Sequence, residues 1–207
     1  EDSRLLDGLG KAPLEDGWVK RDIAIYYSHD SMLLATIRGP ETKNGEIAAK
    51  SPLHDFMYSR QGAQYLIEDL LFQHDFVAPE QIVGGKLAAY KVLFMPRINA
   101  MSDAEVGAVK KFLASGGRII ADELPGGCDE LGVKRAVNPF AGLDGITVTG
   151  RNFDDCDATQ RENILKALNQ AGANAIVASP TIVKTLGREA MRFTDGINSV
   201  YMVLRHP

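Results

Sequence analysis

The sequence has few cysteines. Two of them, Cys128 and Cys156, occur in 207 residues. Neither stands at a zinc-binding spacing from the other or from any of the four histidines, and no pattern supports a disulfide between them. We therefore expect two unpaired thiols in a reducing compartment, no metal site and no cofactor.

Long apolar runs and blocks of like charge are also lacking. No run approaches the roughly 20 apolar residues that a membrane-spanning helix needs. The 23 basic and 27 acidic residues give a formal net charge of −4, and no basic block marks a nucleic-acid surface. No signal peptide is visible, so a cytoplasmic location is the default and a secreted or periplasmic parent stays open. Because the chain begins at Glu1 and not at Met, we expect it to be processed or cut from a longer protein.

Compact apolar runs alternate with amphipathic stretches, and 45% of the residues are hydrophobic, which is enough for a sizeable core. The runs "RDIAIYYS", "HDFV", "YKVLFMP" and "RIIAD" are typical of buried strands. Strands that alternate with helices predict a parallel sheet covered on both faces. The predicted fold class is α/β: a doubly wound, mostly parallel, flavodoxin-like sheet.

The helices of this pattern have readable faces and ends. One helix carries a buried stripe, and another has a capping box of Ser102 and Glu105 and ends at Gly116-Gly117. A third is capped by Asp157 and Gln160. The stripe of the first helix is Ala63, Leu66, Ile67, Leu70 and Leu71.

The last part of the chain changes pattern. Its closing stretch, "EAMRFTDGINSVYMVLRHP", predicts an antiparallel hairpin around Asp195-Gly196. We divide the chain into an N-terminal segment (1–20), an α/β domain (21–186), and an edge hairpin or the start of a truncated β-rich domain (187–207).

A long loop is predicted after the first strand, from His29 to Phe56, because turn signals recur along it. Within it, "SMLLATI" has few polar interruptions. If these side chains are exposed, they mark an interface; a short helix buried on its own sheet explains them equally well. The interface candidates are Met32, Leu33, Leu34 and Ile37.

Three stretches together resemble a known domain: "IAIYYSHDS", "VLFMPRINAMSDAEVGAVKKFLASGGRII" and "MRFTDGINSVYMVLRHP". They resemble the trimerisation domain of family 42 β-galactosidases and related multidomain glycoside-hydrolase-like proteins, which has a class I glutamine amidotransferase-like fold. The resemblance implies that a catalytic barrel and a β-sandwich lie outside this chain, and that the domain serves assembly.

The turn after "RIIAD" is where an amidotransferase of this fold would carry its nucleophilic cysteine, beside backbone N–H groups and a histidine base. Here the turn carries Asp122 and Glu123. Cys128 lies past a proline and two glycines, and the only histidine downstream is His206. No catalytic residue is therefore predicted.

Polar side chains follow three of the predicted strands, where the carboxyl ends of parallel strands meet and ligands bind in open α/β sheets. One interpretation is a crevice for a sugar or another small molecule. The other is that these residues satisfy backbone groups at strand ends and helix starts. The candidates are Ser28, His29, Asp30, Arg97, Asn99, Asp122 and Glu123.

The sequence favours a non-catalytic assembly domain of a β-galactosidase-like glycoside hydrolase, which forms a homo-oligomer and borders a neighbouring subunit's sugar site. Two alternatives stay open. One is a stand-alone module that binds a carbohydrate or another small molecule in the strand-end crevice, and the other is a divergent hydrolase or amidotransferase-like enzyme.

Overall fold

The computed structural model describes residues 21–39 and 51–175 with their side chains, and the backbone of five further strand segments: 42–43, 46–47, 181–185, 188–194 and 199–203. The contacts divide the chain into two units, Asp22–Ala173 and Glu1–Arg21 with Asn174–Pro207. The predicted domain boundaries at 20/21 and 186/187 stay predictions.

The described part contains ten strands and five α-helices. The strands are β1 (Ile23–Tyr26), β2 (Thr42–Lys43), β3 (Glu46–Ile47), β4 (His74–Val77), β5 (Val92–Met95), β6 (Arg118–Ala121), β7 (Ile146–Val148), β8 (Thr181–Thr185), β9 (Arg188–Thr194) and β10 (Ser199–Val203). The helices are α1 (His29–Arg38), α2 (Pro52–Asp69), α3 (Pro79–Val83), α4 (Asp103–Ala114) and α5 (Ala158–Gln170), with 3-10 turns at Lys86–Ala89 and Phe153–Asp155.

The main sheet has five parallel strands in the order β4-β1-β5-β6-β7. Every residue of β1 and β5 is buried, as expected for central strands covered on both faces. The strand order reverses between β1 and β5, so the chain has the doubly wound α/β fold that its sequence predicts.

The helix caps confirm the predicted starts of α4 and α5. The Ser102 hydroxyl accepts the backbone N–H of Glu105, whose carboxylate accepts the backbone N–H of Ser102. Asp157 and Gln160 form the same reciprocal pair on α5. Glu105 is also buried and accepts a hydrogen bond from the Tyr26 hydroxyl, which ties α4 to β1.

The predicted long loop is wrong over much of its length. Residues 29–38 form α1, which Ser28 caps by accepting the backbone N–H of Ser31, and α2 begins at Pro52. The buried stripe of α2 is also shorter than predicted. Leu71 is 54% exposed because the helix has already ended and its backbone is left-handed, at φ 63°.

The C-terminal strands form a separate antiparallel sheet in the order β10-β9-β8. The turn predicted at Asp195-Gly196 lies outside the described residues. Among the described helices, none is long and apolar enough to cross a membrane.

Candidate functional site: a polar cleft at the carboxyl edge of the sheet

A cleft opens at the carboxyl ends of β1, β5 and β6, beside the point where the strand order reverses. Its volume is about 530 Å³, within the range of roughly 300–1,000 Å³ that is usual for small-molecule sites. One wall is α1 and another is the start of α2. The lining residues are Ser31, Leu34, Ala35, Arg38, Gly39, Pro52, Asp55, Phe56, Arg97, Asn99 and Glu123.

Asp122 lies beneath the cleft and does not line it. The side chain is buried, and its Oδ1 accepts the backbone N–H groups of Arg97 and Glu123 at 2.9 and 2.8 Å. Its Oδ2 accepts the hydroxyl of Ser59 at 2.5 Å, and the same hydroxyl oxygen accepts the backbone N–H of Phe153. Asp122 therefore joins β5, β6, α2 and the 3-10 turn at 153–155.

Burial has the largest effect on the pKa of Asp122. It raises the pKa of this carboxyl to about 6, although hydrogen bonds from Ser59 and from the Arg97 backbone oppose the rise. The carboxyl group accepts two backbone N–H groups and a hydroxyl, which is the environment of a structural anchor.

The guanidinium of Arg97 crosses the floor of the cleft. Its Nη1 donates to Oε2 of Glu123 at 2.9 Å, and its Nη2 donates to Oδ2 of Asp55 at 3.1 Å. Asn99 donates to Oε1 of Glu123 at 2.6 Å, and Asn152 donates to Oδ1 of Asp55 at 3.2 Å. The floor is thus a connected set of side chains held by hydrogen bonds.

The carboxylates around Arg97 stabilise its positive charge. Burial lowers the pKa of Arg97, but the carboxylates of Glu123, Asp122 and Asp55 more than offset this effect, so the pKa rises above its ordinary value. The backbone of Arg97 is left-handed at φ 52°, an uncommon conformation for a residue other than glycine.

The predicted candidates divide into two groups. Arg97, Asn99 and Glu123 line the cleft, with Asp122 directly below them. The other three lie at the start of α1: Ser28 is the buried N-cap, His29 is exposed on the first turn and Asp30 is half-buried beside it. Among the described residues, those three do not line the cleft.

Sequence reasoning missed three members of the network: Asp55, Ser59 and Asn152. Asp55 and Ser59 lie on the part of the chain assigned to a loop and to the flank of a helix, and Asn152 lies in a stretch with no motif. A signal for Asp55 was present: Ser51 followed by Pro52 is typical of a helix start, and a helix that begins there has Asp55 in its first turn.

Cys128 lies close to the cleft but is buried. Its thiol accepts a hydrogen bond from the Arg38 guanidinium at 3.1 Å, and its backbone N–H donates to the carbonyl of Asn99. Within the described residues, no histidine is hydrogen-bonded to it, and no group of three or more His, Cys, Asp or Glu is arranged to hold a metal ion. His54, predicted in the long loop, lies in the first turn of α2 and stacks on Tyr58.

The interface candidates on α1 also divide. Leu33 and Ile37, one helical turn apart, are 45% and 80% exposed. Leu34 lines the cleft and packs on Gly132, since a Cβ added to Gly132 would lie 2.8 Å from the Leu34 side chain. The sulfur of Met32 accepts a hydrogen bond from the Tyr27 hydroxyl. Neither predicted alternative fits completely, because the stretch is a helix and two of its four apolar candidates are exposed.

No protein-family model matches the chain, and no curated protein is similar to it in sequence. Its fold is that of part of a solved β-galactosidase from Bacillus circulans sp. alkalophilus, with a TM-score of 0.57 and 12% identity, covering 90% of this chain and 36% of that one. A β-galactosidase from Bifidobacterium adolescentis is 20% identical, with a TM-score of 0.44, over 56% of this chain and 47% of the other. The exo-carrageenase GH42 from Bacteroides ovatus is 13% identical, with a TM-score of 0.46, over 89% and 24%.

This chain spans less than half the length of each of these proteins. At such identities the likeness shows the fold alone. Of these three structures, the β-galactosidase from Bacillus circulans sp. alkalophilus is the one with a TM-score above 0.5, and the fold comparison rests on it. The chain is thus an α/β unit whose fold recurs as one part of a larger β-galactosidase.

Proposed function

We propose that this chain is a non-catalytic assembly domain of a β-galactosidase-like glycoside hydrolase, and that it associates with copies of itself. In the assembled parent, the domain borders a neighbouring subunit's sugar site. The likeness to part of a β-galactosidase chain supports the first half of this proposal. Asp122 supports the non-catalytic role, because at the turn that would carry a nucleophile it is buried and engaged by three donors.

One observation carries the assembly role: apolar side chains are exposed together on ordered elements. Leu33 and Ile37 project from α1, and the loop that packs on Leu34 through Gly132 carries the exposed Leu131 and Val133. The proposed contact residues are thus Leu33, Ile37, Leu131 and Val133. Exposed apolar side chains on neighbouring segments favour a contact site, because their burial against a partner is favourable.

Sedimentation velocity over a range of concentrations tests the assembly role. The chain should form an oligomer, expected to be a trimer, as its concentration rises. Ile37→Lys and Leu131→Lys should shift it to the monomer, because a lysine cannot be buried at an apolar contact without a partner. Val83→Lys, on the exposed end of α3, is the matched control and should assemble like the wild type. A wild-type chain that stays monomeric throughout would contradict the proposal.

A second candidate function is the binding of a carbohydrate or another small molecule by the monomer. The cleft favours it, because Arg97, Glu123, Asn99 and Asp55 form one hydrogen-bonded network on its floor. A ligand that stabilises a strictly monomeric chain against heat would favour this candidate over assembly.

A further inference from the structure

The cleft has a charge balance that restricts what it can hold. Among the residues described with their side chains, its charged lining consists of two guanidinium groups, Arg38 and Arg97, and two carboxylates, Asp55 and Glu123. Arg97 is bonded to both carboxylates, and Arg38 on the α1 wall supplies the second positive charge, so these four lining charges sum to zero. An anionic ligand that contacts Arg38 would also meet the two carboxylates, and a cationic ligand that contacts a carboxylate would also meet Arg97. The balance therefore favours a neutral ligand.

The hydrogen-bonding capacity of the floor is only partly used. A guanidinium has five N–H donors, and among the described contacts Nη1 and Nη2 of Arg97 each use one of their two hydrogens. Each Glu123 oxygen accepts one hydrogen bond, although a carboxylate offers about four acceptor sites. Within the described part of the chain, unused donors of Arg97 thus lie beside unused acceptor sites of Glu123. A hydroxyl group matches this arrangement because it donates and accepts at once.

The walls of the cleft are partly apolar, whereas its floor is polar. Leu34 and Ala35 of α1 and Pro52 of α2 add apolar surface to the cleft. A ring that carries hydroxyl groups on its rim and C–H groups on its faces would meet polar groups below and apolar groups at the side. The floor is also held in place by the protein itself, because Asp122 anchors the backbone of Arg97 from beneath. A site organised in advance avoids part of the entropy cost of binding.

From these contacts we infer that the cleft bounded by α1, α2, Arg97, Asn99 and Glu123 binds a neutral polyhydroxylated ring of monosaccharide size. Hydroxyl groups of the ligand accept from Arg97 and donate to Glu123 and Asp55. The inference goes beyond the assembly role and rests on the second candidate function. A chain that assembles without binding such a ligand refutes this inference and leaves the assembly role intact.

The test is a two-dimensional amide NMR titration of the whole chain with three sugars of the same ring and different charge: galactose, galacturonate and galactosamine. Galactose should move the amide signals of Arg97, Asn99 and Glu123 in a saturable way, in the millimolar range. The two charged sugars should bind roughly tenfold more weakly or worse, because each places an uncompensated charge in a cleft whose four lining charges already sum to zero.

Two variants and a control locate the binding. Ala35→Trp fills the cleft from the α1 wall without altering the polar network and should abolish the galactose-induced shifts. Glu123→Gln removes a carboxylate acceptor on a partly exposed side chain and should weaken binding at least tenfold. Glu162→Gln, exposed on α5, should bind galactose like the wild type.

Three outcomes would overturn the inference. The first is that none of the sugars shifts any cleft amide at tens of millimolar. The second is that galacturonate or galactosamine binds more tightly than galactose. The third is that galactose shifts survive Ala35→Trp, which would place the ligand elsewhere on the chain. Sedimentation of the same samples reports on assembly independently of each outcome.

Discussion

The buried carboxylate of Asp122 holds Arg97 by its backbone: Oδ1 accepts the N–H of Arg97 at 2.9 Å, at a residue whose φ is 52°. A left-handed conformation at a residue other than glycine costs on the order of 1 kcal/mol or more, so it persists where neighbouring contacts enforce it. Here the contact comes from Asp122, directly after the neighbouring strand β6. The orientation of the cleft floor is therefore decided by a buried side chain that does not line the cleft.

Removal of this anchor should cost considerable stability. Asp122→Ala leaves two backbone N–H groups and the Ser59 hydroxyl without their acceptor, and we expect a loss of about 3 kcal/mol in the free energy of unfolding. Asp122→Asn keeps an acceptor for the backbone groups and should lose less. Urea unfolding monitored by circular dichroism measures both. Equal stability of wild type and Asp122→Ala would show that the three hydrogen bonds contribute nothing net.

The protonation of Asp122 makes a second, separable prediction. Because burial raises its pKa to about 6, the folded chain binds a proton more readily than the unfolded chain. The proton therefore stabilises the fold: stability is gained as the pH falls through 6 toward 4 and lost as it rises. The gain is up to about 3 kcal/mol, an upper bound for so buried a group.

Other carboxyl groups titrate in the same range, so the comparison must be made against Asp122→Asn. The free energy of unfolding of the wild type minus that of Asp122→Asn should increase as the pH is lowered from 7 to 4. A difference that stays constant over this range would mean that Asp122 has an ordinary pKa in the folded chain.

The contact between α2 and the 3-10 turn at 153–155 depends on a glycine. A Cβ on Gly62 would lie 2.2 Å from the backbone nitrogen of Asp154. Gly62→Ala must separate the two elements, and we expect a loss of about 1–3 kcal/mol in the free energy of unfolding. The matched control is Gly107→Ala in α4, where an added Cβ meets nothing within 4 Å. That change should stabilise the chain by roughly 0.5–1 kcal/mol. If both substitutions change stability by the same amount, the close approach at Gly62 is not the cause.

Cys156 should be a slow thiol in the folded chain. Burial is the largest cause that raises its pKa to about 11, and the nearby Asp122, Asp157 and Asp154 add to the rise against the opposing effect of Arg161. Since the thiolate is the reactive form, alkylation by iodoacetamide at pH 8 should be on the order of 100-fold slower in the folded chain than in urea. Mass spectrometry of the labelled chain measures both rates. Labelling of Cys156 at the unfolded rate would contradict this prediction.

The sheet was predictable because its signals are local. Central parallel strands are buried on both faces, so "IAIY" and "VLFM" must be apolar throughout, and capping boxes join residues only three positions apart. The start of α1 was harder to predict, because Ser28 caps it alone, without a Glu or Gln three residues later, and its stripe is short. The stretch therefore looked like a loop.

The sequence by itself determined the class of fold and the edge of the sheet where polar side chains gather, since strand ends follow directly from the apolar runs. It could not separate Asp122, which is buried as an anchor, from Glu123 beside it, which faces the cleft. That distinction was decided by tertiary structure: Ser59 and Arg97 lie 63 and 25 residues away from Asp122 along the chain, and Asp55 lies 42 residues away from Arg97. Hydrogen bonds between such distant residues depend on how α2 packs beside β5 and β6, and no local pattern encodes that packing.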